Sequence, residues 1–193
     1  MAKKKKIQSN EQNKGKVTAT ITQHPTGYKG IVTVKIQKGG YTLKTIKATN
    51  SGTILLFNGI ARFLNGDSDL SGYIPQYLGI GCQDTVTATD PLQTKLINEY
   101  DLGPRIILNR GNIRIDTDAH TVLLPFTANI LYSTIGSRRI TELGLFSSIA
   151  YNDETLLARV NIVDQNETGT PGITLDVGMN LTVEWNIVLQ NIS

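Results

Sequence analysis

The sequence predicts an all-β domain with a single helix, preceded by a basic N-terminal arm. Short apolar runs alternate with polar residues at period two between Gly, Pro and Asn turns. The plainest is Leu181, Val183, Trp185, Ile187 and Leu189 against Thr182, Glu184 and Asn186. The composition agrees, with 18 glycines, recurrent Val, Ile and Thr, and only 6% aromatic residues. Only residues 53–64 place apolar side chains at three- and four-residue spacing. At 193 residues the chain suits one well-buried domain rather than two. The division predicted is an arm over 1–15 and a β domain over 16–193.

The arm is set apart by charge. Of 19 basic and 16 acidic residues, six lysines (Lys3, Lys4, Lys5, Lys6, Lys14, Lys16) and Glu11 alone fall in the first 16, which leaves 13 basic and 15 acidic residues in the body. Such a lysine-rich stretch with one isoleucine cannot bury enough apolar surface to order itself. Lys3, Lys4, Lys5 and Lys6 are the candidate partner-binding residues, an electrostatic tether to an acidic neighbour or to nucleic acid; a solubilising tail is the alternative.

Taken in order, residues 16–22 and 31–36 alternate as strands about a His24-Pro25-Thr26-Gly27 turn, and Lys38-Gly39-Gly40 turns into a third strand over 41–47. This is an opening meander. The helix over 53–64 carries Ile54, Leu55, Leu56, Phe57, Ile60, Ala61, Phe63 and Leu64, so it is predicted to be buried on nearly every side, at the end of a sandwich or at a subunit boundary. Ser51 offers an N-cap and Asn65-Gly66 a left-handed stop. Asp67, Asp69 and Ser71 then copy the start of a calcium loop, with Gly72 at its sixth place, but Leu78 stands where the bidentate glutamate belongs. A polar turn is the favoured reading. Calcium is the one cofactor the pattern allows, by way of a neighbouring subunit's carboxylate; no other cofactor is expected.

Residues 77–82 form a short apolar strand whose Gly79 and Gly81 lack the third glycine of a dinucleotide fingerprint and point instead to a close backbone approach. Periodicity does not decide residues 92–102. Strands follow over 105–109 and 112–117 about Arg110-Gly111, then over 121–131, where Pro125 implies an edge or a bulge. Ile140 to Phe146 and Leu156 to Ile162 are apolar runs, the first interrupted by Gly144.

Together these residues carry a resemblance. An Ile140-x-Glu142-x-Gly144-Leu145-Phe146 strand, Leu156-Leu157-Ala158-Arg159-Val160, and a closing Leu181-x-Val183-x-Trp185-x-Ile187 resemble the C-terminal half of small structural proteins of tailed bacteriophages. Asn50-Ser51-Gly52-Thr53 before Leu56-Phe57 and Ile60-Ala61, and Tyr77-Leu78-Gly79-Ile80-Gly81, are similar to their N-terminal half. The resemblance implies a β-sandwich core of jelly-roll type in a virion protein made in the host cytoplasm. It implies a capsid decoration protein or fibre mount, or alternatively a tail, neck or baseplate component. The partners implied are other virion proteins, capsid or tail subunits, and further copies of the chain. No catalytic residues are implied. From the residues alone, a free-standing carbohydrate- or nucleic-acid-binding module is the other class left open, with Lys3 to Lys6 on phosphates.

Enzyme signatures are missing. Cys82 is the sole cysteine, so neither an intrachain disulfide nor a thiolate zinc site is available, and nothing in the spacing brings His24 or His120 to it; it reads as a buried small residue. Glu142 reads as the partner of Arg139 or Arg159 rather than as half of a catalytic carboxylate pair. No apolar run has the length of a membrane span, and Ile7-Gln8-Ser9-Asn10 does not continue the lysines as a signal peptide would.

Overall fold

The computed structural model describes residues 28–84, 87–88, 90–163 and 172–190. In chain order its elements are β1 (Tyr28–Lys38), β2 (Tyr41–Gly52), α1 (Ile54–Leu64), a 3-10 turn (Ser71–Tyr73), β3 (Tyr77–Gly81), β4 (Ile106–Ile107), β5 (Asn109–Arg110), β6 (Arg114–Asp116), β7 (Thr121–Leu131), α2 (Tyr132–Ile135), β8 (Arg139–Ile140), β9 (Glu142–Phe146), β10 (Leu156–Asn161), β11 (Ile173–Thr174) and β12 (Met179–Gln190). The expected all-β architecture is present. The predicted strand over 16–22 and its turn lie outside the described residues, as does the arm. Both edges of β1 are taken, by β2 and by β12, so the opening meander is two strands flanked by the last one.

The β1–β2 hairpin turns on Gly39 and Gly40, whose φ of 56° and 85° are the left-handed values a type I′ turn demands of both central residues. Beyond it, Val32, Val34 and Ile36 face the core while Thr33, Lys35 and Gln37 face outward. β12 pairs with β1 from Tyr28↔Leu189 to Lys38↔Met179 and with β7 from Gln190↔Thr121 to Asn180↔Leu131, which makes it the central strand of this half. Its alternation is as predicted: Leu181, Val183, Trp185 and Ile187 are buried, in one core with Leu143 and Leu145 of β9.

The other half is β4-β3-β9-β10, joined to the first through the end of β2, where Ser51 and Gly52 pair with Arg159 and Ala158. The full order is β4-β3-β9-β10-β2-β1-β12-β7-β5, with β6 also on β7, and β8–β11 form a separate small sheet. β4 and β5 lie at opposite ends of that order, yet only Leu108 separates them in sequence, and its N–H bonds Gln76 O at 2.9 Å. One strip of chain thus bridges the two edges, and a single sheet wraps nearly closed around the core. The sandwich is therefore closer to a barrel than to the two separate sheets of the predicted jelly roll.

Several local expectations need correction. The predicted strands over 105–109 and 112–117 do not pair with each other; β5 and β6 both lie against β7. Pro125 sits between their contacts, and its carbonyl accepts from Gly111 N at 2.9 Å, so the missing proline N–H faces an interrupted edge rather than β12. The helix is not buried on nearly every side: only Leu56 and Gly59 are buried, while Phe63 and Leu64 are 66% and 77% exposed. Ser51 belongs to β2 and caps nothing; Thr53 takes the N-cap position but donates its hydroxyl to Leu156 O at 2.6 Å, tying the helix start to β10. Gly66, at φ 84°, is the predicted left-handed stop. A second, one-turn helix, α2, follows β7 without any periodic signal.

Candidate functional site

β9 is the one strand buried at all five positions. Leu143 and Leu145 face the sandwich core, whereas Glu142, Gly144 and Phe146 face the opposite way and are covered by residues 96–105. Leu96 from that segment packs with Phe146 and Leu156. Such a covered layer buries polar backbone, so it requires partners. Two arginine–glutamate pairs meet that requirement.

Glu142 and Arg159 face each other diagonally across β9 and β10. The Arg159 Nε donates to Glu142 Oε2 at 2.8 Å, both side chains are fully buried, and Glu142 Oε1 accepts Asn98 N–H at 3.0 Å. Arg159 also reaches Thr87 O, Thr87 Oγ1, Ala88 O and Gln93 Oε1 at 3.3–3.5 Å. Around it, Thr141 Oγ1 accepts Gln83 N at 2.6 Å, Gln83 Nε2 donates to Asn161 Oδ1 at 2.7 Å, and Asn161 Nδ2 donates to Thr87 O at 2.7 Å. The sequence reading of Glu142 as an arginine's partner is borne out with Arg159. Arg139 instead donates to Asp84 at 3.0 Å.

The second pair was not legible. Arg105 clamps Glu99 through Nε at 2.7 Å and Nη2 at 3.0 Å, and its remaining donors go to Ser148 O, Tyr151 O and Asp153 O at 2.9–3.0 Å and to Thr155 Oγ1 at 3.5 Å. The guanidinium carbon lies 3.5 Å from the centroid of the Phe146 ring. The side chains of both partners are almost wholly buried. This arginine ties the turn 147–155 to the segment 99–105. A shallow depression lined by Tyr100, Leu102, Pro104 and Tyr151 opens beside it.

The glycines of β3 explain how both carboxylates fit. A Cβ on Gly79 would lie 2.7 Å from Glu99 Oε1 and 2.5 Å from the Phe146 ring; one on Gly81 would lie 2.6 Å from Glu142 Oε1 and 2.8 Å from Asn98 O. The approach is close, but it is not mainly the predicted backbone: the two carboxylates and the Phe146 ring come in, with Asn98 O the one backbone atom among them. Beside Glu142 itself, glycines at alternate positions of a buried strand were the sequence signal for this polar layer.

The other candidates do not converge. Asp67 Oδ2 accepts Arg62 Nε at 2.7 Å, and that bond holds its carboxyl below the usual range; Arg62 also donates to Tyr73 OH at 2.9 Å. Asp69 Oδ1 accepts Ser71 Oγ at 2.8 Å and Ser71 N at 3.3 Å, and these bonds lower its pKa as well. Each carboxylate thus serves its own turn, and among the described residues no group of three His, Cys, Asp or Glu side chains is placed to share an ion. Lys3, Lys4, Lys5 and Lys6 lie outside the described residues. Cys82 is half-buried rather than buried, 3.5 Å from Arg139 Nε, and His120 sits in an exposed turn at φ 50°. Tyr100 donates to Arg139 O at 2.7 Å; its burial, then Cys82, push its hydroxyl up to about 12. No described helix is long and apolar enough to cross a membrane.

Chemically, each buried arginine is paired with its own carboxylate, Arg105 with further short bonds and Arg159 with longer contacts to protein oxygens, and both carboxylates accept protein donors. The layer organises the fold around it and leaves no charged group of its own for an anionic ligand. No family model matches the chain, and no curated protein or solved structure matches it at a significant level.

Proposed function

We propose that the chain is a non-enzymatic structural protein of a tailed-phage virion, docked on capsid or neighbouring virion subunits as a decoration protein or fibre mount. The observation that carries this reading is where the molecule puts its polar and apolar groups. Its buried ion pairs rigidify the β body, while large apolar side chains stand on the outside: Phe63 and Leu64 on α1, Leu92, Ile107 on β4 at one end of the strand order, and Ile113 and Ile115 at the other. Apolar side chains displayed on a rigid scaffold suit packing against other proteins, and a lysine-rich arm suits an acidic neighbour.

The test is to purify particles carrying a tagged copy and locate it by cryo-EM, with its copy number counted by quantitative mass spectrometry. The reading predicts a stoichiometric, symmetrically placed density. A protein absent from purified particles, which instead binds oligonucleotides with an affinity falling steeply with salt, would refute it.

A further inference from the structure

We infer that the outer edge of β6 is a two-fold pairing surface for a second copy of this chain. Every residue from 109 to 120 is exposed, and the stretch includes Ile113 at 62% and Ile115 at 72%. β6 pairs with β7 along one edge, and among the described residues nothing pairs with the other. Proteins ordinarily blunt such an edge with short strands, charged side chains, lysine above all, proline or a bulge; β6 is short, but it has no lysine, proline or bulge, and its two charges, Arg114 and Asp116, are of opposite sign.

The register says how the edge is filled. Leu189 of β12 stands opposite Val122 of β7, and Val122 opposite Ile115, so an apolar row on the core-facing side of the sheet runs outward from two half-buried residues to a bare one. An antiparallel copy of β6 centred on Ile115 sets its own Ile115 beside this one and continues the row through Val122 and Leu189 of the second copy. The same register places Arg114 opposite Asp116 of the second copy, and by symmetry Asp116 opposite its Arg114. Read antiparallel, the tripeptide is complementary to itself in shape and in charge, as an isologous contact requires. Asp116 is held in place for this role: its Oδ1 accepts Asp118 N at 3.0 Å and Ala119 N at 2.8 Å.

The edge is short, so the contact falls below the roughly 1,200 Å² of total buried area at which specific interfaces become stable. A reversible dimer with a dissociation constant on the order of micromolar follows. The inference stands whether or not the chain belongs to a virion.

Sedimentation velocity on the full chain, from about 1 to about 200 µM, tests it. The expected result is a monomer–dimer equilibrium within that range. Arg114→Asp sets carboxylate against carboxylate at both contacts and raises the dissociation constant at least about tenfold; Asp116→Arg does the same with like cations. An equimolar mixture of the two variants recovers the dimer, because each chain then meets its opposite. Thermal melts verify that Asp116→Arg, which also alters a turn, remains folded. Independently of charge, Ile115→Cys forms a disulfide-linked dimer under mild oxidation, since directly opposed Cα atoms lie about 4.5–5.5 Å apart. Ile113→Cys, set opposite Thr117, does not. A chain that stays monomeric throughout the range overturns the proposal, as does a dimer that Arg114→Asp leaves unchanged and Ile115→Cys fails to cross-link.

Discussion

Replacing Glu142 with alanine removes the only carboxylate among the described residues that reaches Arg159. The arginine is fully buried, and its other acceptors stand at 3.3–3.5 Å, at or beyond the limit of a good hydrogen bond. An uncompensated guanidinium inside the fold costs about 3–5 kcal/mol, and Asn98 N–H loses its acceptor as well. Against the roughly 5–15 kcal/mol that stabilises a domain, that is a fifth of the total or more. The assay is urea unfolding followed by the fluorescence of Trp185, the only tryptophan and one with no exposed surface. Arg159→Met alone leaves the carboxylate stranded and costs a similar amount. Arg159→Met combined with Glu142→Leu leaves no charge behind and costs less than either single change, so the pair is strongly non-additive. A loss below about 1 kcal/mol in Glu142→Ala, or a double variant as damaged as the sum of the two, would refute the view that this pair is a closed, mutually dependent unit.

Three further outcomes are expected. Gly81→Ala drives a Cβ to 2.6 Å from Glu142 Oε1 and 2.8 Å from Asn98 O and should cost about 1–3 kcal/mol of stability; Glu142→Ala relieves the carboxylate's share and leaves the backbone's, a partial coupling that urea midpoints measure directly. Trp185→Ala opens a cavity in the core and should cost about 3–5 kcal/mol; Glu184→Ala, next to it on the outward face and bonded to partly exposed Lys35, should cost under about 1 kcal/mol, and equal urea midpoints for the two would mean the strand's register is wrong. Tyr100 keeps its proton to about 12 when folded and loses it from 10.0 when unfolded. The stability it confers is therefore whole below about pH 10 and is lost as the pH climbs through about 12, an alkaline decline that should flatten in Tyr100→Phe relative to the native chain.

The strands with one wet face were readable because alternation states both their burial and their register: β12 and β7 appear as predicted, and so do the hairpin glycines. The helix was placed within a residue, yet its burial was overestimated. Apolar residues all around its circumference say nothing about whether neighbours reach every side, and Phe63 and Leu64 were left outside. Ser51 misled as a cap because it is still paired in β2. β4 and β5 are too short to carry any period, so the closure of the sheet could not be seen. Glu99 and Arg105 lie in irregular chain, where partners are chosen by tertiary approach alone; Glu142 was legible because it interrupts an apolar strand.

The position of β12 has a consequence for synthesis. The strand at the centre of one half is the last of the described strands to leave the ribosome, and until it does β1 and β7 have no common neighbour. The β1–β2 hairpin must wait with Val32, Val34 and Ile36 uncovered until β12 has been made, so the domain cannot close before every other described strand has emerged. Pairing of the first described strand with the last makes it a slow, non-local folder. During that wait the open side of β1 is a second adhesive surface, and a nascent chain crowded among its own copies risks exchanging β12 with a neighbour before it finds its own.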